Sequence, residues 1–238
     1  MPSDIQEPAP SADPCPRCLK PAAVCVCDEI VPIEHRIGLL ILQHPQEQDK
    51  ELGTARLAAL HFEHAVFAIG LSWPSLAKAL GRPADPKRWA ILYLGSMRPE
   101  DFPPGREVVV LDKKGTPLAD QQAALVDIDG VVVLDGTWSQ AKTLWWRNAW
   151  MLKGKRIALR PQKPSLYGKL RREPRREALS TLEAAGLLLA RLEQRPEIET
   201  ALLRTFERML DRYKRVHKGG PAATTPARAR RARVGRIR

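Results

Sequence analysis

Six short apolar runs, each followed by a stretch of different patterning, constrain the fold more than any other feature of the chain. They lie at residues 37–42, 65–69, 90–94, 108–111, 131–134 and 157–159 and are mostly Ile, Val, Leu and Ala. Nearly continuous aliphatic runs of this length suit strands buried on both faces, the condition of a parallel sheet. Helical patches are expected at 54–60, 75–80, 121–125 and 139–151, and two longer helices at 181–192 and 196–216. Pro196 suits the first turn of the last of these. Strands alternating with helices define an α/β class, a mostly parallel sheet flanked by helices. Such sheets bind ligands at the carboxyl ends of their strands. The functional expectation therefore falls on the residues just past the strands, at 44–47, 95–98, 112–114, 135–138 and 160–164. No internal repeat is evident, and no apolar run approaches the ~18 residues of a membrane-spanning helix.

All four cysteines fall in one stretch, Cys15-x2-Cys18-x6-Cys25-x-Cys27. Four are too few for a disulfide scaffold in 238 residues. Cys-x2-Cys turns two sulfurs toward one ion, and Cys-x-Cys puts alternate side chains on one side of an extended segment. Four thiolates around a tetrahedral Zn²⁺ form a closed structural site with no open position for catalysis. A weak site and redox-active thiols are the alternatives. Asp4, Glu7 and Asp13 stand where a secretory signal would be basic and then apolar. A reducing, cytoplasmic compartment is therefore expected.

The net charge of +12 is concentrated in two places. Residues 153–176 hold ten Lys/Arg and one acid, Glu173; residues 214–238 hold nine Lys/Arg and no acid. The rest of the chain is net negative. Two basic tracts on an acidic body point to RNA or DNA met by defined surfaces. The C-terminal tract lacks the apolar stripe that binding to a membrane surface needs. Lys155, Arg156, Arg172, Arg175 and Arg176 are candidates for phosphate contacts. Composition divides the chain into a disordered segment 1–14, a cysteine knot 15–28, an α/β domain 29–216 and a basic disordered tail 217–238.

The segment Leu134-Asp135-Gly136-Thr137-Trp138-Ser139-Gln140-Ala141-Lys142 carries the most chemistry. A strand runs directly into a carboxylate, a hydroxyl and an indole, and a helix begins. A carboxylate there can act as a general base in a cleft. Equally, Asp135 or Thr137 can cap the helix, with Trp138 in the core. Trp138, Trp145, Trp146 and Trp150 crowd this helix. Trp138 is the foremost candidate to stack on a displaced base, whereas Trp146 and Trp150, four apart, are expected to form a buried stripe. His44, at a strand end, is placed to touch a substrate; His61 and His64 are read as surface or packing residues. Gly95-Ser96 suits either a close backbone approach to a ligand or an ordinary turn.

Asp135-Gly136-Thr137-Trp138 resembles the Asp-x-Thr-Trp signature of the DTW-domain family, the tRNA-uridine aminocarboxypropyltransferases. Three more blocks resemble the same family. The cysteine knot followed by Asp28 is similar to its N-terminal ribbon. Gln43-His44-Pro45-x-Glu47, then Thr54-Ala55-Arg56-Leu57, is similar to its first loop and helix start. Ser165-x-Tyr167-x3-Arg171-x2-Pro174, then Leu179-Ser180-Thr181-Leu182-Glu183-Ala184, is similar to its C-terminal signature. Gly53 stands where many relatives carry Asn, so no side-chain contact is expected there.

The resemblance implies a SPOUT-like α/β fold with a C-terminal knot and S-adenosylmethionine as co-substrate. It implies transfer of the 3-amino-3-carboxypropyl group to N3 of a tRNA uridine, with release of 5′-methylthioadenosine. Asp135 would be the general base, with Thr137 and Trp138 beside it as catalytic candidates. By position in the matched blocks, Thr54, Leu134, Leu159, Ser180 and Thr181 would line the cofactor site. Arg56 or Arg171 would pair with the cofactor carboxylate. The expected metal is structural Zn²⁺ on Cys15, Cys18, Cys25 and Cys27. The expected partner is tRNA, with no membrane or protein partner and a monomer rather than a dimer. Two other functions stay open: a SPOUT-like RNA methyltransferase, releasing S-adenosylhomocysteine, and a non-catalytic zinc-ribbon RNA-binding protein.

Overall fold

A computed structural model describes residues 13–92, 99–170 and 179–217. All six expected strands form: β1 Gly38–Gln43, β2 Val66–Ile69, β3 Trp89–Leu92, β4 Val108–Leu111, β5 Gly130–Asp135 and β6 Lys155–Leu159. They assemble into a sheet of order β2-β1-β5-β3-β6-β4. The first five of that order run parallel, and β4 closes the β6 edge antiparallel. The helices are α1 Ala55–Leu60, α2 Leu76–Leu80, α3 Gln121–Val126, α4 Trp138–Arg147, α5 Thr181–Glu193 and α6 Pro196–His217. Among the described residues, no helix is long and apolar enough to cross a membrane.

The two-residue period of the strands divides the core into two layers. Leu39, Ile41, Val131, Val133 and Ile157 share one layer with residues of α1, α5, α6 and the cysteine segment. Leu40, Leu42, Val132, Leu134 and Ile91 share the other with α2, α4 and Trp150. Central β1 is buried along its whole length, which is why its sequence does not alternate. The Trp89 ring packs against the start of β5, where a Cβ on Gly130 would come within 2.5 Å of it; only glycine fits there. α5 is apolar all round and buried from Leu182 to Ala190. α6 shields it with one stripe, Ile198, Leu202, Phe206, Met209 and Leu210, leaving its charged face outward.

One helix differs from expectation. The patch 139–151 is not continuous: α4 stops at Arg147, and a 3-10 turn, Ala149–Lys153, follows. Asn148 causes the break. Its fully buried amide donates to Leu144 O (2.7 Å) and Leu71 O (3.1 Å) and accepts from Trp73 N (2.8 Å). These bonds hold its backbone outside the helical region, at ψ 73°. The turn carries Trp150 into the core, where Nε1 donates to Trp73 O at 3.1 Å. Trp146 remains on α4 and is 76% exposed. The stripe expected of Trp146 and Trp150 therefore does not exist.

Candidate active site

β1 and β5 are neighbours in register, with Gln43 opposite Asp135 at their carboxyl ends. The chain leaves β1 into α1 on one face of the sheet and leaves β5 into α4 on the other. The next strand after β1 lies on one side of this pair, and the next strand after β5 lies on the other. Adjacent strands whose connections diverge open a crevice at their carboxyl ends, the usual ligand site of such sheets. Asp135 stands at that crevice.

The Asp135 carboxylate is held from both sides. Gln43 Nε2 donates to Oδ2 at 2.8 Å, and the Thr181 hydroxyl donates to Oδ1 in a short bond. Gln43 is buried, and its Oε1 has no hydrogen-bond partner, leaving an unpaired acceptor beside Asp135. The signal for Gln43 was available in sequence: it is the first polar residue after an apolar strand, as Asp135 is.

Thr181 is placed by the start of α5. Ser180 and Glu183 form a capping box, each side chain accepting from the other's backbone N–H. Glu183 also reaches the preceding loop, accepting from Ser165 Oγ (2.6 Å) and Leu166 N (2.7 Å). Thr54, buried at the start of α1, accepts from Leu182 N at 3.3 Å. Thr54, Ser180, Thr181 and Asp135 are thus brought together where α1 and α5 begin.

The other expected residues lie around this cluster or away from it. Thr137 caps α4 through a second capping box with Gln140, and Trp138 is the first residue of α4. Leu134 points to the sheet face opposite Asp135, within the α4 layer. Leu159 packs at the end of β6 against the α5 layer. His44 is tied by its backbone to Asp135 O (2.9 Å), and its ring accepts from Gln46 N (3.2 Å), so it sits on the rim. Arg56 stacks over Phe67 at 4.8 Å and lines a cleft of about 370 Å³ with Arg17, Phe62 and Glu63. It is not brought to Asp135. His61 is a packing residue, as read, bonded to Leu57 O and Thr205 Oγ1. Lys155, at the opposite end of β6, is engaged by Ala124 O and Asp127. Gly95-Ser96, Arg171, Arg172, Arg175, Arg176 and most of segments 1–14 and 217–238 lie outside the described residues.

The four cysteine sulfurs lie within 4.8 Å of one another, with Cys18 and Cys25 Sγ at 3.7 Å. Four sulfurs at ~2.3 Å from a tetrahedral ion stand ~3.8 Å apart, so the cluster can hold a metal. Burial pushes the Cys18 thiol up to about 11 and raises Cys27 further. Cys15 is raised by burial but brought down to about 7 by the backbone N–H groups of Cys18 and Arg17. Lys20, which sequence reasoning passed over, is buried beside the cluster and donates to Glu51 O and Gly53 O, both at 2.6 Å. Tyr167 donates to Leu52 O at 2.6 Å. The cysteine knot therefore fixes the loop that leads into Thr54.

The crevice, its half-buried carboxylate and the mostly parallel sheet define a protein of the α/β class. Within that class the chain belongs to the DTW-domain family, whose domain matches residues 12–214. It is similar to tRNA-uridine aminocarboxypropyltransferase 2 of Macaca fascicularis, 30% identical over 210 residues, covering 84% of this chain and 63% of that protein. The Mus musculus protein of the same name is 29% identical over 198 residues, covering 81% and 61%. The Drosophila melanogaster protein of that name is 30% identical over 206 residues, covering 82% and 74%. The chain thus spans less than two thirds of the first two relatives. No solved structure matches it.

Proposed function

We propose that the protein transfers the 3-amino-3-carboxypropyl group of S-adenosylmethionine to N3 of a uridine in tRNA, releasing 5′-methylthioadenosine. The observation that carries this reading is Asp135, held at the β1–β5 crevice by Gln43 and Thr181. N3 of uracil keeps its proton at neutral pH and attacks poorly. Asp135 accepts that proton as N3 attacks; each of its oxygens retains a lone pair beyond its bond to the protein. The co-substrate supplies a sulfonium that already activates the neighbouring carbon. Choice of that carbon over the methyl is then a matter of how the chain orients it. Thr54, Ser180 and Thr181 supply the polar wall and Leu159 apolar surroundings, while Leu134, in the α4 layer, supports the strand behind Asp135. The unpaired Gln43 Oε1 fits an ammonium donor. Of the two arginines expected to pair with the matching carboxylate, Arg56 is turned to Phe67, and we assign that role to Arg171. Thr137 aims α4, and Trp138 offers a ring to the uracil face. The cysteine cluster holds structural Zn²⁺ on Cys15, Cys18, Cys25 and Cys27.

The finer fold reading, SPOUT-like with a C-terminal knot, belongs to the same proposal. Support comes from the return of the chain after β6 to the carboxyl ends of β1 and β5, where α5 begins. Four cysteines gathered as one metal-ligand set, and not paired as disulfides, support a reducing, cytoplasmic setting. We take the segments 1–14, 15–28, 29–216 and 217–238 as the working division of the chain, and the working unit as a monomer.

The test is mass spectrometry of unmodified tRNA incubated with the protein and S-adenosylmethionine. The expected product is an aminocarboxypropyl mass on uridine with methylthioadenosine released, and Asp135→Asn lowers the rate by about 10²- to 10⁴-fold. Full activity in Asp135→Asn refutes the general-base role. A methyl gain moves the function to methyl transfer, and no gain on any tRNA refutes the reading.

A further inference from the structure

We propose that the outer face of α4 is a stacking platform for an unpaired strand of the substrate RNA, with Trp146 as its principal base contact. This rests on the reading of tRNA as substrate and names a residue outside the Asp135 cluster.

Trp146 is 76% exposed, the most exposed of the large apolar side chains on this helix. The core makes little use of this indole, so its face is open to a ligand in solvent. Its surroundings are suited to a polyanion. α4 carries no Asp or Glu and places Lys142 in solvent. The guanidinium of Arg156, from β6, lies 5.5 Å over the ring of Trp145. Trp138, Lys142, Trp145 and Trp146 stand at i, i+4, i+7 and i+8, so they share one side of the helix and lead away from Asp135. Sequence-tolerant binding of single strands uses this combination, aromatic faces for bases beside cations for phosphates.

The platform is rigid at both ends. The Thr137–Gln140 capping box fixes the start of α4, and Gln140 Nε2 donates to Gln46 Oε1 at 3.2 Å, tying it to the loop after β1. Asn148 fixes its end. Eight residues at ~1.5 Å rise put Trp146 about 12 Å along the helix from Trp138. At ~3.4 Å per nucleotide of a stacked strand, this corresponds to roughly three or four nucleotides. The base on Trp146 is therefore a neighbour of the modified uridine in the same unpaired loop, not the uridine itself.

The test is the affinity of the full chain for an unmodified tRNA that it modifies, across a salt series. Trp146→Ala weakens binding roughly 5- to 150-fold, the range for removing one base–aromatic stack, and Trp146→Phe restores most of it. The salt slope stays the same in Trp146→Ala, because a stack releases no counterion, and falls by roughly 0.7 in Lys142→Ala. An abasic site three or four nucleotides from the target uridine weakens the unaltered protein to a similar extent and adds nothing in Trp146→Ala. Unchanged affinity in Trp146→Ala overturns the proposal while leaving the transferase reading intact. So does a Trp146→Ala chain that loses only self-association, which assigns the face to a second copy. Failure of the unaltered chain to bind any tRNA overturns both.

Discussion

Replacing Glu183 with Gln tests how the site is held without touching its chemistry. The residue is 5% exposed, and its carboxylate accepts three bonds: from Ser165 Oγ and Ser180 N at Oε2, and from Leu166 N at Oε1. The amide of Gln has the same shape but one acceptor. With its oxygen in the place of Oε2, it keeps Ser165 and Ser180 as neutral bonds and turns its NH₂ toward Leu166 N–H. Weakening two charge-assisted bonds to neutral ones costs about 1 kcal/mol each, and leaving a partly buried N–H unpaired costs about 1–3 kcal/mol. Loss of a negative charge in the first turn of α5 adds about 0.3–1 kcal/mol. These terms are not fully additive, so we expect about 3–4 kcal/mol. For a chain of this size that lowers the melting temperature by roughly 6–16 °C. Ser180→Ala, which removes only the cap, costs about 1 kcal/mol. Urea titration and thermal melts of the three proteins measure both. Because Thr181 is the next residue after the cap, Glu183→Gln also lowers the rate at temperatures where the chain remains folded. A Glu183→Gln protein within 1 kcal/mol of the original would refute the view that this carboxylate joins the 165–166 loop to α5.

Two further predictions concern the metal and the pH dependence. Metal analysis of the purified protein finds about one zinc per chain, and a chelator lowers the melting temperature, because Cys18 and Cys27 are packed into the main core. Identical melts with and without chelator, together with no bound metal, would exclude the site. Burial lowers the pKa of His61, a residue 2% exposed whose ring is bonded at both nitrogens. The unfolded chain, with its His near ~6.5, therefore takes up the proton first. The stabilisation is full above ~6.5 and is lost as pH falls through the folded-state value, by up to ~1.4 kcal/mol per pH unit. His61→Gln flattens that slope in urea titrations between about pH 7.5 and 5; an unchanged slope would show that His61 is not its source.

Much of this molecule is determined by short-range sequence. The six strands follow from aliphatic runs long enough to be buried on both faces. The starts of α4 and α5 follow from Thr137–Gln140 and Ser180–Glu183, whose capping bonds span three residues and need no tertiary contact. The placement of Asp135 directly after an apolar strand, and the clustering of four cysteines, are equally local. Tertiary structure decided the rest. Gln43 meets Asp135 across 92 residues because the crossovers put β1 beside β5, and the strand order is not encoded in the period of either strand. Asn148 ends α4 through bonds to Leu71 and Trp73, more than 70 residues away, and this separates buried Trp150 from exposed Trp146. Arg56, alike in sequence position to Thr54, turns instead to Phe67 on the edge strand. The reason is the same in each case: capping and burial periodicity act over a few residues, whereas the partner of a buried polar group is set by which distant strand the fold lays beside it.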